Sequence, residues 1–189
     1  AGDANGDGVG DLIIGAPNGD PGGRVNAGET YVVFGRDAAA GGFPAALQLA
    51  DLDGATGFHL DGIDAGDRSG FPVASAGDVN GDGIDDLVIG AFDADPGGRT
   101  DAGSSYVVFG RDAAAGGFPT ALQLGDLDGV NGFRLDGVSA ADNSGFSVAS
   151  AGDANGDGLD DLIVGAYGAD PSGRDRAGST SADRRWRNG

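Results

Sequence analysis

A shift of 75 residues lays this 189-residue chain on itself: "VVFGRDAAAGGFP" at 32–44 returns unchanged at 107–119. Likewise "DLDGATGFHLDG" (51–62) returns as "DLDGVNGFRLDG" (126–137), and "SGFPVASAGD" (69–78) as "SGFSVASAGD" (144–153). A repeat of this length is a supersecondary unit that buries its apolar surface by stacking on its neighbours, so the chain reads as an array of like units. Inside one unit the apolar segments are short, rich in β-branched and aromatic residues, and bounded by glycine and aspartate, which is the chemistry of strands. In the middle unit strands are expected near Gly70–Ala76, Asp86–Ala91, Ser104–Phe109 and Gly132–Leu135.

Four strands per repeat is the content of one β-propeller blade. The expected fold is all-β, with about two and a half blades of four antiparallel strands forming a partial or open propeller. Residues 1–68 read as a blade lacking its first strand, 69–143 as a complete blade and 144–180 as a truncated one. The segment 181–189 breaks the repeat and holds the single Trp and three of the eleven arginines; it is expected to be a disordered tail. The apolar run Leu87, Val88, Ile89 does not alternate, as suits a strand covered on both faces by stacked blades.

An insertion at 111–129, "RDAAAGGFPTALQLGDLDG", is too long for a hairpin turn. Its Phe118, Leu122, Leu124 and Leu127 are expected to fold back on their own blade as a satellite cluster. The alanine run permits one helical turn, and "LQL" suits a short edge strand equally well. Arg36 and Arg111 are expected to pair with the neighbouring Asp37 and Asp112 or with other surface acids, and the "DLDG" aspartates Asp51, Asp53, Asp126 and Asp128 to serve turns. Tyr31 and Tyr106, each beside a pair of valines, read as blade packing.

The chemistry is concentrated in three loops. In "DVNGDGIDD" (78–86) Asp78, Asn80, Asp82 and Asp86 stand at positions 1, 3, 5 and 9, with the carbonyl of Ile84 at position 7. The matching sets are Asp3, Asn5, Asp7 and Asp11 with the carbonyl of Val9, and Asp153, Asn155, Asp157 and Asp161 with the carbonyl of Leu159. These are hard oxygen donors at the spacing by which a tightly wound loop wraps Ca²⁺, and a glycine at position 6 gives the sharp turn that such loops need. An EF-hand closes instead with a glutamate at position 12, where this chain has Ile14, Ile89 and Val164, so the aspartate at position 9 is left to close the ion. A nonapeptide β-roll would repeat its glycines every nine residues, against the 75 seen here. The plain alternative, a polar Asp/Asn/Gly turn, does not by itself ask for one ligand set in all three copies. Carboxylates this close repel by several kcal/mol in a partly desolvated site, and a divalent ion reverses that sign. About three Ca²⁺ ions of weak to middling affinity are expected, a range suited to an extracellular setting.

Composition removes several classes. A formal net charge of −19, with Glu29 the only glutamate and no lysine, leaves no basic surface for nucleic acid. The absence of cysteine excludes disulfides and thiolate chemistry, and no apolar run is long enough for a membrane span. The one histidine, His59, has Arg134 as its repeat counterpart, so a catalytic role for it is disfavoured, and the loop aspartates read as ligands rather than as an acid–base pair.

The order "SGFPVASAGDVNGDGIDDLVIGA" followed by "AGSSYVVFGR" resembles the FG-GAP repeats of integrin α-subunit propellers and of large bacterial surface proteins. "GAP" stands at 15–17 and is altered to "GAF" at 90–92 and "GAY" at 165–167. Where the family often has Phe-Gly before the first strand, this chain has Ser69-Gly70 and Ser144-Gly145 with phenylalanine following. The resemblance implies a calcium-stabilised propeller on a secreted or cell-surface protein, with adhesion or the binding of a protein or glycan ligand as its role. Related repeats also accompany a phospholipase, so the rival is a non-catalytic portion of an extracellular hydrolase or lyase. A ring of such blades is larger than this segment, which makes further blades or further copies candidate partners.

Overall fold

A computed structural model describes residues 1–170 and 179–182. It contains three antiparallel sheets built from repeat-equivalent strands. The first takes β1 (Leu12–Ala16), β2 (Glu29–Val33) and β3 (Gly57–Asp61); the second takes β4 (Val73–Gly77), β5 (Asp86–Ala91), β6 (Ser104–Val108) and β8 (Gly132–Asp136). The third takes β9 (Ser144–Gly152), β10 (Asp161–Ala166) and β11 (Ser179–Ala182). The middle sheet keeps the expected strand content, with Ile89 opposite Val73 on one side and Tyr106 on the other. Ser181 and Ala182, expected to open a disordered tail, pair with Val164 and Ile163, and residues 183–189 of that tail lie outside the described residues. Among the described residues no helix is long and apolar enough to cross a membrane.

The core lies between sheets. Leu87, Ile89, Tyr106 and Val108 on one face of the middle sheet pack with Val32, Phe58 and Leu60 of the first; Val88 and Val107 on its other face pack with Leu162 of the third. Burial of such side chains is worth about 1.5–3 kcal/mol each. The stacking explains why β5 lacks alternation, since both of its faces are interfaces. Leu12 and Ile14, the repeat counterparts of Leu87 and Ile89, are 54% and 38% exposed where those are fully buried, because burial here comes from the neighbouring sheet.

The insertion departs from expectation. Leu122 and Gln123 of its "LQL" form strand while Leu124 opens a 3₁₀ turn, but β7 (Ala121–Gln123) pairs in parallel with β3 of the preceding sheet, His59 opposite Ala121 and Asp61 opposite Gln123. Phe118 stacks on Phe58 with ring centroids 4.0 Å apart, and Phe118 and Leu124 are buried in the core shared by the first two sheets. The segment is a strap between neighbours rather than a satellite on its own blade alone, because β3 offers an edge to β7 and Phe58 to Phe118 within the core that both sheets share. The alanines form a 3₁₀ turn, Ala113–Ala115, capped by Asp112, whose carboxylate accepts the N–H of Ala114 at 2.7 Å. Asp37 caps Ala38–Ala40 in the same way. With both neighbouring acids taken up as caps, Arg36 and Arg111 lie over the rings of Phe43 and Phe118, and the charge of Arg111 acts on another surface acid, helping the Val130 and Asn131 hydrogen bonds to hold the Asp128 carboxyl below its usual range.

Candidate metal centres

The middle and third aspartate-rich loops join β4 to β5 and β9 to β10, the first leads into β1, and each winds its backbone tightly around its own carboxylates. Asp78 at position 1 accepts the N–H groups of Gly81, Asp82 and Gly83 at 2.7, 3.1 and 2.8 Å. Asn80 at position 3 also accepts the N–H of Asp82, at 2.9 Å, so the oxygens of positions 1 and 3 converge on one amide. Asp82 at position 5 accepts the N–H of Ile84 at 2.9 Å, which turns the chain toward the carbonyl at position 7. Gly81 and Gly83 adopt φ of 83° and 85°, a region in which a β-carbon would be strained, and this lets three successive N–H groups point inward. The first loop repeats the arrangement: Asp3 and Asn5 share the N–H of Asp7 at 3.1 and 2.9 Å, Gly8 donates to Asp3, and Val9 donates to Asp7.

The aspartate at position 9 has a further task. Asp86 is fully buried, and its two oxygens accept the N–H of Val79, at the start of the loop, and of Gly110, beyond the end of β6, at 3.0 and 2.8 Å. Asp11 holds Ala4 and Gly35 in the same way, at 2.9 and 2.8 Å. One carboxylate thus ties the loop to the end of the next strand of its sheet, β2 for Asp11 and β6 for Asp86. Burial pushes the Asp86 carboxyl up to about 7, against the opposing pull of the Gly110 and Val79 hydrogen bonds and with added repulsion from Asp82 and Asp78. Asp11 is raised for the same reason.

The third loop follows the plan at positions 1, 5 and 7: Gly156, Asp157 and Gly158 donate to Asp153, and Leu159 donates to Asp157. It differs at position 3. The Asn155 amide donates to both oxygens of Asp161, at 3.0 and 3.2 Å, rather than offering its own oxygen to the Asp157 N–H.

Among the described residues no three carboxylate, imidazole or thiolate side chains form a cluster that could hold a metal by themselves. The donor set in each loop is mixed, two carboxylates joined by an amide oxygen and a backbone carbonyl, with the position 9 carboxylate behind. Each carboxylate oxygen has about two acceptor positions, and the N–H bonds described leave a share of these for a cation. The set is hard oxygen throughout and so fits Ca²⁺; Asp3, Asn5, Asp7, Val9 and Asp11, with Asp78, Asn80, Asp82, Ile84 and Asp86, and Asp153, Asn155, Asp157, Leu159 and Asp161, are the residues that would hold it.

The residue at position 8 carried no signal in the sequence reading, yet Asp85 accepts the Asp3 N–H and Asp160 the Asp78 N–H, both at 2.9 Å. The doubled "DD" at 85–86 and 160–161 was the available clue. Other residues take the plain roles expected of them: Asp53 accepts N–H groups of Ala55 and Thr56, Asp128 those of Val130 and Asn131, and Tyr106 is buried in the core. His59 sits in mid-strand with Asp61 3.6 Å away and the Tyr31 ring beside it.

The family model for the FG-GAP repeat matches residues 1–33, 72–108 and 144–182, more than half of the chain and all three loops. Phosphatidylinositol-glycan-specific phospholipase D of Rattus norvegicus is 33% identical over 174 residues, 92% of this chain and 18% of the relative. Integrin alpha-V of Gallus gallus is 32% identical over 172 residues and integrin alpha-5 of Xenopus laevis 32% over 175, each match covering 89% of this chain and 14% of the relative. The chain therefore spans less than a fifth of the length of these relatives.

Proposed function

The chain belongs to the FG-GAP repeat family, and on that premise we propose that it is a calcium-braced propeller segment of an extracellular or cell-surface protein, whose stiffened blades present surface loops to a protein or glycan partner. The observation that carries the reading is the convergence of the position 1 and position 3 oxygens on a single amide in the first two loops. A cation beside that amide would meet hard oxygens already gathered by it, on the lone pairs the N–H leaves free, and would offset the repulsion between the carboxylates at positions 1 and 5. Because these loops also fasten to the ends of β2 and β6 through Asp11 and Asp86, an ion there stiffens the whole sheet. The integrin relatives favour an interaction role for the segment.

The phospholipase relatives support a second reading, a non-catalytic blade segment within a secreted hydrolase. The loop aspartates serve as ligands under either reading. Calorimetric titration of EGTA-stripped protein with Ca²⁺, using Mg²⁺ as control, tests the shared premise: about three calcium sites and a rise in melting temperature are expected. No saturable heat, or an equal response to Mg²⁺, would refute it. In a longer protein containing the segment, loss of partner binding with any hydrolytic activity retained after loop Asp→Ala changes favours the interaction role.

A further inference from the structure

One residue of each later loop reaches across to the loop before it. The Asp85 carboxylate accepts the N–H of Asp3 at 2.9 Å, while the Asp85 N–H donates to the carbonyl of Asp3 at 3.2 Å. Asp160 makes the same pair of bonds with Asp78, at 2.9 and 3.0 Å. Asp3 and Asp78 are the position 1 residues of their loops, so each clasp closes on the first donor of a neighbouring site. The chain makes room for it. A β-carbon on Gly2 or Gly77, the residues just before those donors, would fall onto the carboxylate of Asp85 or Asp160; one on Gly152, at the same place before the third loop, would meet nothing within 4 Å.

We propose that Asp85 and Asp160 are positioning residues that couple adjacent ion loops, each orienting the first ligand of the loop before it. The inference rests on the calcium reading above. Asp85 lies between Ile84, whose carbonyl stands at position 7, and Asp86 at position 9. An ion in the middle loop fixes both neighbours and with them the Asp85 backbone, which then presents its carboxylate to the Asp3 N–H. The same carboxylate adds negative charge beside the first loop. Coupling of this kind is reciprocal, so filling the first loop also favours filling the second. The ion sites then act as a chain along the array, each linked to the next by a two-bond clasp.

The position 6 glycines Gly8, Gly83 and Gly158 donate to the position 1 aspartates of their own loops, so their amide resonances report on the loops separately during a calcium titration followed by NMR. Asp85→Ala is expected to raise the calcium midpoint at Gly8 on the order of tenfold, the worth of a hydrogen bond to a charged group, to move Gly83 less and to leave Gly158 in place. Asp160→Ala should move Gly83 most. Asp85→Asn, which keeps an oxygen for the Asp3 N–H, should recover at least half of the loss at Gly8. An unmoved Gly8 midpoint, an equal shift at all three glycines, or no recovery in Asp85→Asn would overturn the proposal. If no glycine amide in the unaltered protein responds to calcium, the calcium reading has failed, and the coupling proposal with it. Hydrogen exchange at Asp3 in EDTA shows whether the clasp itself survives that failure: faster exchange in Asp85→Ala means that it does, and an unchanged rate that it does not.

Discussion

The middle and third loops are nearly identical in sequence and differ in what stands behind them. In the middle loop Asp86 is buried and bonded to Gly110, and Asn80 turns its oxygen toward the loop amide. In the third, Asp161 is half-buried and Asn155 has turned its amide onto it. The repeat counterpart of Gly110 is position 185, an arginine outside the described residues, so the "FG" that receives the position 9 carboxylate has no sequence match there. A nine-residue motif therefore does not specify its own geometry; a strand end 24 residues beyond Asp86 completes it.

The widest expected difference between the two loops is in stability. Asp86→Ala leaves the buried N–H of Gly110 and the part-buried N–H of Val79 without an acceptor and should cost about 3 kcal/mol, whereas Asp161→Ala should cost about 1 kcal/mol, both by urea unfolding in EDTA. Equal losses would break the comparison. Next comes ion affinity: a cation in the third loop has to displace Asn155 from Asp161, so that site should fill last, by roughly a factor of ten, worth about 1.4 kcal/mol. A titration in which the Gly158 amide moves first would reverse the argument.

The pH dependence should be smaller but has a definite sign. Asp86, raised to about 7, and Asp67, raised to about 6 chiefly by burial, prefer their neutral forms in the fold, so the folded state binds more protons than the unfolded chain across the interval above the ordinary value of 3.8. The metal-free protein should therefore lose stability as pH rises from about 4 to about 7 and change little beyond, a fall of several degrees in melting temperature. Calcium should flatten that fall, and Asp67→Asn should remove the part ending near pH 6 while leaving calcium binding intact. The smallest effect belongs to position 8 of the first loop: Gly10 lies outside the left-handed region and a β-carbon there would meet only the Gly2 carbonyl, at an ordinary 3.8 Å, so Gly10→Asp should change stability by less than about 0.5 kcal/mol. A large loss there would mean that the first loop is built differently from its counterparts.

The strands and loops could be read from the sequence because their signals are local. Leu87, Val88 and Ile89 show their two-sided burial by failing to alternate, and the Asp/Asn/Gly spacing of each loop lies within nine residues. The partners could not be read, because they come from other units. The identical "ALQ" at 46–48 and 121–123 carries no mark that the second copy adds to the edge of β3, since that edge belongs to the previous repeat. Asp85 looked like one more acid beside Asp86, and its role depends on Asp3, 82 residues away. Leu12 and Leu87 have the same strand context and opposite exposure for the same reason.

The central claim is that each of three equivalent loops gathers its oxygens around one calcium ion. Crystals grown in millimolar Ca²⁺ and measured at a wavelength where calcium scatters anomalously test it most directly. The account predicts a peak in each loop, about 2.3–2.6 Å from the side-chain oxygens at positions 1, 3 and 5 and the carbonyl at position 7. Loops that kept these same hydrogen bonds with no anomalous peak among them would contradict it.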